Sequence, residues 1–429
     1  MIPKLRICIA AVDVAYQFRD LERAFEDLGH SVTTVVLQSF SEYIYTHEIA
    51  PRIRYSSSIP IVNKCVKISN ILLKIFFHRN NSTIKNITND NDIFIFIWHS
   101  FDHEYRDLEY LHKLGKKIIF IFVGDDARWH HGMRQDFIKH GITPVKYENK
   151  SIKIFGKSIS TADVDPGING LLFRLKRIRA AEKYADLIFS KREQAQLQLR
   201  PFYHFPMYFY PPDFKKDDIQ KGNLVPIVVH APTNQSVKGT KFVFEAFDRL
   251  KKEGIPFLHV LVTGMSHQEA LKAYINADII IDQLFIPGGG KLSTEGLALG
   301  KVVMANMSYN DYPQGFHSSE CPIVDVNPEN LYDKLKDLLI DTNKRQKIAD
   351  KGKAYAAEAL SVVKFCERLV NLLQDENGDY DFYPDFFRSD FIPESDEAKK
   401  AYNQYTQRVK DTKWYSKHVK PGNRDGLVF

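Results

Sequence analysis

Cysteine is scarce in this chain: residues 8, 65, 321 and 366 are the four in 429, and no two form a CxxC pair. That spacing argues against a zinc site or a disulfide framework and fits a reducing compartment. Long apolar runs are missing too. No stretch reaches the ~18 apolar residues that span a bilayer. The opening MIPKLRICIAAV has only a strand-sized apolar run, met at once by Asp13 with no cleavage-type sequence, so it is not expected to be a secretory leader. Charge of one sign is in small excess, a net +6. That is too little over this length to imply nucleic acid, but it suits acidic partners such as sugar diphosphates or an anionic membrane surface. Nor does a GxGxxG follow the first strand; DVAYQF stands there, which disfavours an NAD-dependent dehydrogenase. A soluble, cytoplasmic protein is expected, if anywhere else at the inner face of a membrane.

What is present has the rhythm of a doubly wound α/β protein. RICIAAV reads as a buried strand, Phe18 to Leu28 as an amphipathic helix closed by Gly29, and SVTTVV as the next strand. The alternation recurs through DIFIFIW, a helix over Glu104 to Leu114, IIFIFV, a basic helix around Arg174 to Glu182, and ADLIFS. Between Tyr208 and Leu224 paired prolines and mixed charge suggest a linker, after which the pattern restarts. PIVVH, a helix over Thr240 to Lys252, FLHVLVT, a helix through Glu269 and Tyr274, and DIIID follow. The expected organisation is an amino-terminal Rossmann-like domain over 1–215, a second over 224–375, and a tail over 376–429. The tail reads as helix-like and packing back across the domain junction, or else as a partner or homodimer contact.

The most informative stretch is ADIIIDQLFIPGGGKLSTEGLALGKVV, Ala277 to Val303. A strand ends at Asp282, a loop carries Gly288, Gly289 and Gly290, and a short helix carries Glu295 and stops at Gly300. Glycines let backbone amides approach an anion, and a helix start adds partial positive charge. A carboxylate one turn in could accept two hydroxyl hydrogen bonds, as a ribose offers. The plain alternative is a flexible turn. Position favours a site, because ligands of such sheets bind beyond the carboxyl ends of strands.

These residues resemble the carboxyl-terminal signature of family 4-type glycosyltransferases of the GT-B fold, and HAPTNQSVKGTKFVFEAFDRL from His230 resembles their other donor-site segment. The resemblance runs over roughly Pro226 to Leu373 and more weakly over the first half. It implies two Rossmann-like domains facing a central cleft, Glu295 on the nucleotide ribose, and Lys238 on the diphosphate. It also implies that Gly239, Gly264, Gly288, Gly289 and Gly290 shape the donor site. Two positions depart from the family: Pro287 stands where a second glutamate contacts the donor sugar, and Pro232 and Thr233 stand where an arginine is usual.

In the first domain, FIWHSFD puts His99 past one strand, and VGDDAR puts Asp125, Asp126 and Arg128 past the next. VGDDAR is similar to a GSDxR-like segment of the same relatives. His99, Asp126 and Arg128 are therefore the candidate catalytic residues. His99 would bind the sugar or shuttle a proton, and Arg128 would replace the missing donor-site arginine. The alternative is that they satisfy backbone groups at strand ends. His130 and His131, and the DVD of Asp163 to Asp165, mimic metal motifs only weakly. The helix-like 62–79 has one apolar side and lysines elsewhere, which suits a peripheral membrane contact or an ordinary core. RLKRIR, Arg174 to Arg179, reads as a solvated basic face sooner than as an acceptor-phosphate site.

The resemblance thus implies sugar transfer, with retention, from a donor such as a UDP- or GDP-sugar. The acceptor would be a glycan or lipid-linked and the setting cell-surface polysaccharide synthesis, with no metal and no cofactor. The rivals are a nucleotide-sugar epimerase of the same layout and a non-catalytic sugar-nucleotide-binding protein.

Overall fold

The computed structural model describes residues 4–39, 82–102, 104–128, 151–154, 157–160, 168–191, 194–195, 197–211, 225–233, 235–285, 288–307, 321–374 and 380–382. The chain divides into two compact units. Met1–Met133, Asp165–Phe205 and Cys366–Phe429 form the first; Arg134–Val164 and Pro206–Phe365 form the second.

The first unit runs β1 (Arg6–Asp13), α1 (Gln17–Asp27), β2 (Ser31–Ser39), α2 (Ser82–Asp90), β3 (Ile93–Ile97), α3 (Arg106–Lys113) and β4 (Lys117–Ile121). An antiparallel hairpin of the second unit, β5 (Ser151–Ile154) with β6 (Lys157–Ser160), intervenes. Then come α4 (Ile168–Tyr184), β7 (Leu187–Ser190) and β8 (Tyr203–His204). The strands form one parallel sheet in the order β2-β1-β3-β4-β7-β8. Every residue of β3 is buried, as are all but the first of β1 and β4. A strand covered on both faces must be apolar throughout, and so these strands read as unbroken runs. On α1, Phe18, Leu21 and Phe25 fall on one buried stripe at helical spacing.

Helix α4 overturns one expectation. Its RLKRIR segment is no solvated face, for Arg174, Arg177 and Arg179 are 6%, 1% and 3% exposed. Arg179 pairs with buried Glu182 and donates to the Leu197 carbonyl at 2.7 Å. Glu182 in turn accepts the Arg200 amide at 3.0 Å. Guanidinium groups this deep are tolerated because carbonyls and a carboxylate replace lost water. The sheet also gains a piece from far along the chain, since Phe202 and Phe382 exchange backbone hydrogen bonds of 3.0 and 3.1 Å. Arg368 to Asp381 at 2.7 Å ties α11 (Val362–Gln374) to that piece.

The second unit runs β9 (Ile227–His230), α5 (Gln235–Lys238), α6 (Thr240–Lys252), β10 (Leu258–Leu261), α7 (His267–Ile275), β11 (Ile279–Ile281) and α8 (Lys291–Ala298). β12 (Val302–Ala305), β13 (Val324–Asp325), α9 (Leu331–Ile340) and α10 (Thr342–Ala359) follow, leading into α11. Its parallel sheet has the order β10-β9-β11-β12-β13. The chain leaves β9 toward one edge and returns on the other side as β11, so the order reverses between these two strands. Such a reversal opens a crevice beyond their carboxyl ends. The start of the sequence's proposed linker is fixed to this unit: Thr294 and Lys291 donate to the carbonyls of Met207 and Tyr208 at 2.8 and 3.0 Å. Residues 212–224 lie outside the described residues.

Close packing of α8 on the sheet depends on one glycine. A Cβ at Gly296 would lie 2.7 Å from Val303 Cγ2 and 3.1 Å from Ile280 Cδ1, two sheet residues that cannot easily retreat. In an open helix, glycine to alanine gains ~1 kcal/mol of helix propensity. Here overpacking, which costs ~1–3 kcal/mol, should win. Gly296→Ala is therefore expected to lower stability in urea unfolding by ~1–2 kcal/mol. A gain would show that the helix has room to move.

Candidate functional site

The reversal point of the second sheet collects most of the donor-side candidates. Lys238 ends α5 and Gly239 begins α6; Asp282 and Gln283 follow β11; Gly290 caps the start of α8, one turn before Glu295. Gly239 is required twice over. Its φ of 73° is left-handed, and a Cβ there would sit 2.9 Å from Leu284 Cδ1. Lys238 is thereby held against the β11 end, where its ammonium pairs with the Asp282 carboxylate and lies 3.3 Å from Gln283 Oε1.

Asp282 is fully buried and is the hub of the site. Besides Lys238, it accepts the Ser293 hydroxyl at 2.6 Å and the Gly290 amide at 3.1 Å. Burial alone would push its pKa up, but the Lys238 charge and these hydrogen bonds outweigh it and hold the carboxyl below the ordinary range. In the sequence Asp282 stands out only as a strand terminus. Its signal was present as an acidic residue ending an apolar run, eight positions before the glycine that caps the next helix.

The glycine loop is anchored rather than loose. Gly288 donates to the Asn306 carbonyl at 2.8 Å, Gln283 Nε2 donates to the Gly288 carbonyl, and Asn306 Nδ2 donates to the Leu284 carbonyl at 2.8 Å. Gly290 leaves room for the pair beside it, since a Cβ there would lie 3.3 Å from Asp282 Oδ2 and 3.8 Å from Lys238 Nζ. Two of the amides expected to meet an anion are thus already engaged, Gly290 by Asp282 and Gly288 by a carbonyl. Pro287 lies outside the described residues.

Glu295 is 3% exposed, and its Oε1 lies 2.8 Å from His267 Nε2. His267 stands in the first turn of α7, set there by a reciprocal cap in which Ser266 and Glu269 bind each other's backbone amides. That S-x-x-E pattern was legible; the approach of His267 to a residue 28 positions on was not. Gly264, with φ 67°, turns the chain between β10 and this helix. His230 closes the floor, with Nδ1 2.9 Å from the Ile281 carbonyl and Nε2 2.9 Å from Thr240 Oγ1. Burial lowers its pKa, so it serves as a neutral strut between β9, β11 and α6.

In the first unit the order reverses between β1 and β3, and non-glycine residues in left-handed conformations lie just beyond both strands: Ala15 and Tyr16 at φ 55° and 60°, Trp98 at 68°. Across Trp98 the His99 amide turns back to the Ile97 carbonyl at 2.7 Å, a strained three-residue turn. His99 is 6% exposed, with Nδ1 2.8 Å from the Ser100 carbonyl and Nε2 3.3 Å from the Tyr105 hydroxyl, the two rings stacked at 5.0 Å. A carbonyl can only accept, so Nδ1 carries a proton. Arg177 then donates to the Tyr105 hydroxyl at 3.1 Å and to the Asp126 carbonyl at 2.7 Å. Tyr105 and Arg177, 72 residues apart, carried no sequence signal for this relay.

Asp126 accepts the amides of Val123 and Gly124, the latter at 2.6 Å, so its contacts are those of a loop organiser. Burial pushes it up to about 6 against the nearby Arg177 charge. Arg128 pairs with Asp125 at 3.0 Å. Of the metal-like patterns, His130, His131 and Asp163 to Asp165 lie outside the described residues, as do the helix-like 62–79 and the tail from 383. Among the described residues no three His, Cys, Asp or Glu side chains meet to hold a metal ion, and no helix is long and apolar enough to cross a membrane.

Asp107 yields a pH prediction. It accepts the Ser100 hydroxyl at 2.8 Å and the Phe101 amide at 2.7 Å, yet burial, with the Asp102 charge adding, pushes its pKa from 3.8 up to about 7. A carboxyl with a raised folded-state pKa holds its proton more tightly when folded. Stability is therefore lost as pH rises from about 4 to about 7, with no further loss above. Asp107→Asn, which keeps a donor and an acceptor, should flatten that part of the melting-temperature profile and be the more stable protein at pH 8. Parallel profiles for the two proteins would show that Asp107 is ionised throughout.

No protein-family model matches the chain, and no curated protein matches it in sequence. Solved structures do. The sucrose-phosphate synthase of Thermosynechococcus elongatus superposes with a TM-score of 0.53 at 12% identity, over 86% of this chain and 98% of that one. Two others are more distant. Anabaena HepE in complex with UDP and glucose has a TM-score of 0.44 at 12% identity, over 86% and 99%. A Listeria monocytogenes protein assigned as a UDP-N-acetylglucosamine 2-epimerase has 0.46 at 12%, over 88% and 98%. At such identity the likeness is one of fold, and the fold is GT-B: two Rossmann-like units, each built on a parallel sheet.

Proposed function

We propose that this protein is a glycosyltransferase that takes a sugar from a nucleotide-sugar donor, and that the donor binds at the β9/β11 reversal of the second unit. One observation carries the reading. A lysine, a glycine-started helix and a buried carboxylate one turn along it converge where a sheet of this order opens to ligands. In this reading Lys238 meets the diphosphate and Glu295 the ribose hydroxyls, His267 holding the Glu295 carboxylate in place. The sequence resemblance to family 4-type enzymes points the same way and brings with it a retaining reaction without a metal. It also brings a glycan or lipid-linked acceptor of cell-surface polysaccharide synthesis. The leaving diphosphate is then stabilised by Lys238 and the start of α8.

In the first unit, His99 is the group best suited to the transferred sugar. Its ring is oriented by Tyr105 and the Ser100 carbonyl, which suits hydrogen bonding to a sugar hydroxyl. Asp126 supports the loop behind it, and Arg128, paired with Asp125, offers a partly neutralised cation.

The test begins with UDP-, GDP- and ADP-sugars as thermal stabilisers, followed by assay of nucleotide release with and without added glycan acceptors. Acceptor-dependent release supports transfer. Epimerised sugar nucleotide would mark an epimerase, and stabilisation with no turnover a binding protein. Two variants address the assignments. Glu295→Gln should weaken nucleotide binding by ~1–3 kcal/mol. Lys238→Ala should cost more affinity for the nucleoside diphosphate than for the bare nucleoside. Unchanged nucleotide affinity in folded Glu295→Gln, or equal losses for both ligands in Lys238→Ala, would remove those roles.

A further inference from the structure

The Lys238–Asp282 pair has a consequence for how tightly a diphosphate is held. Asp282 is fully buried, and three donors converge on it: the Lys238 ammonium, the Ser293 hydroxyl and the Gly290 amide. Two of these, the amide at the start of α8 and the lysine, are among the groups that would serve an incoming phosphate. The carboxylate thus occupies, from within the protein, the electrostatic place of an anion. It is ionised at neutral pH, since its partners more than offset its burial. Pro232 and Thr233 stand where the family resemblance implies an arginine, and Lys291 donates to the Tyr208 carbonyl at 3.0 Å.

We infer that Asp282 is an internal counter-anion that weakens the site's grip on nucleoside diphosphate, setting the balance between donor capture and product release. The inference rests on the donor-site reading above. A lysine has three N–H donors, so Lys238 can keep Asp282 and still offer one to a phosphate. What reaches the ligand is then an ion pair rather than a full positive charge. The pair also fixes the ammonium: Gly239 and Leu284 set its backbone, and Asp282 with Gln283 its tip. Asp282 is accordingly a positioning residue whose charge opposes the ligand it helps to receive. An enzyme that must release a diphosphate after each transfer gains from such opposition, because release limits many turnover rates.

The experiment is isothermal titration of UDP, GDP and ADP, and of uridine, guanosine and adenosine, into the wild-type chain, Asp282→Asn and Asp282→Ser. The asparagine variant keeps the shape and, through its amide oxygen, the Ser293 and Gly290 bonds, while its NH2 cannot accept from Lys238; the serine variant guards against misfolding of the first. Loss of the carboxylate should tighten the diphosphate that the wild type binds, by ~10-fold or more, as a unit charge several ångströms away would. The matching nucleoside should change little, and the gain should shrink at high salt. Dissociation measured by stopped flow should slow in step. Diphosphate affinity unchanged or weaker in both folded variants, with the wild type still binding, overturns the inference and leaves the donor site standing. Equal tightening of nucleoside and diphosphate also overturns it, because that would be a structural effect. Absence of binding to all three proteins overturns the site reading itself, and the inference with it.

Discussion

A single buried carboxylate holds the second unit's site together. Asp282 joins the end of β11 to the start of α8 through Ser293 and Gly290, and to the end of α5 through Lys238. Taking a carboxylate wholly out of water costs several kcal/mol, and only a full set of donors offsets it. That requirement dictates the local sequence. Gly290 must be small enough to let the pair in, Ser293 must carry a hydroxyl, and Gly239 must turn the chain so that Lys238 arrives. Breaking such a pair from one side leaves an uncompensated charge, typically worth ~3–5 kcal/mol. The constellation is therefore held cooperatively and stands ready before any ligand arrives.

The first unit solves a related problem with different partners. The first turn of α3 carries Asp107, whose carboxyl is pushed up to about 7 by burial, and the loop after β4 carries Asp126, pushed up to about 6. Arg177 reaches Tyr105 and the Asp126 carbonyl, and Tyr105 in turn contacts Nε2 of His99. Backbone strain at Trp98 turns the chain at the same strand end. One unit thus presents a charged pair and the other an oriented imidazole, two different answers to burying polar groups beyond a strand end.

The strands and the helices that connect them were legible because burial on both faces leaves an apolar run that no loop resembles. RICIAAV and DIFIFIW needed no partner to be recognised. Lys238, the glycine loop and Glu295 stood out in the sequence through a family resemblance and a position past a strand end, and the fold gathers them at the β9/β11 reversal. What stayed hidden was whatever depends on residues distant in sequence. RLKRIR reads as a solvated face because composition cannot show that Glu182 and the Leu197 carbonyl are waiting for Arg179. The Tyr105–Arg177 and His267–Glu295 contacts were invisible for the same reason. Asp282 is an intermediate case, an acidic residue after three isoleucines that looks like the end of a strand and proves to accept from Lys238, Ser293 and Gly290.

The central claim is that a sugar nucleotide binds the second unit at this reversal point. Hydrogen–deuterium exchange of the whole chain, with and without the nucleotide sugar that best stabilises it, tests that claim directly. The account predicts slowed exchange concentrated in three segments: 235–242, 264–269 and 288–296. Protection confined to other segments, with these three unchanged at saturating ligand, would contradict it.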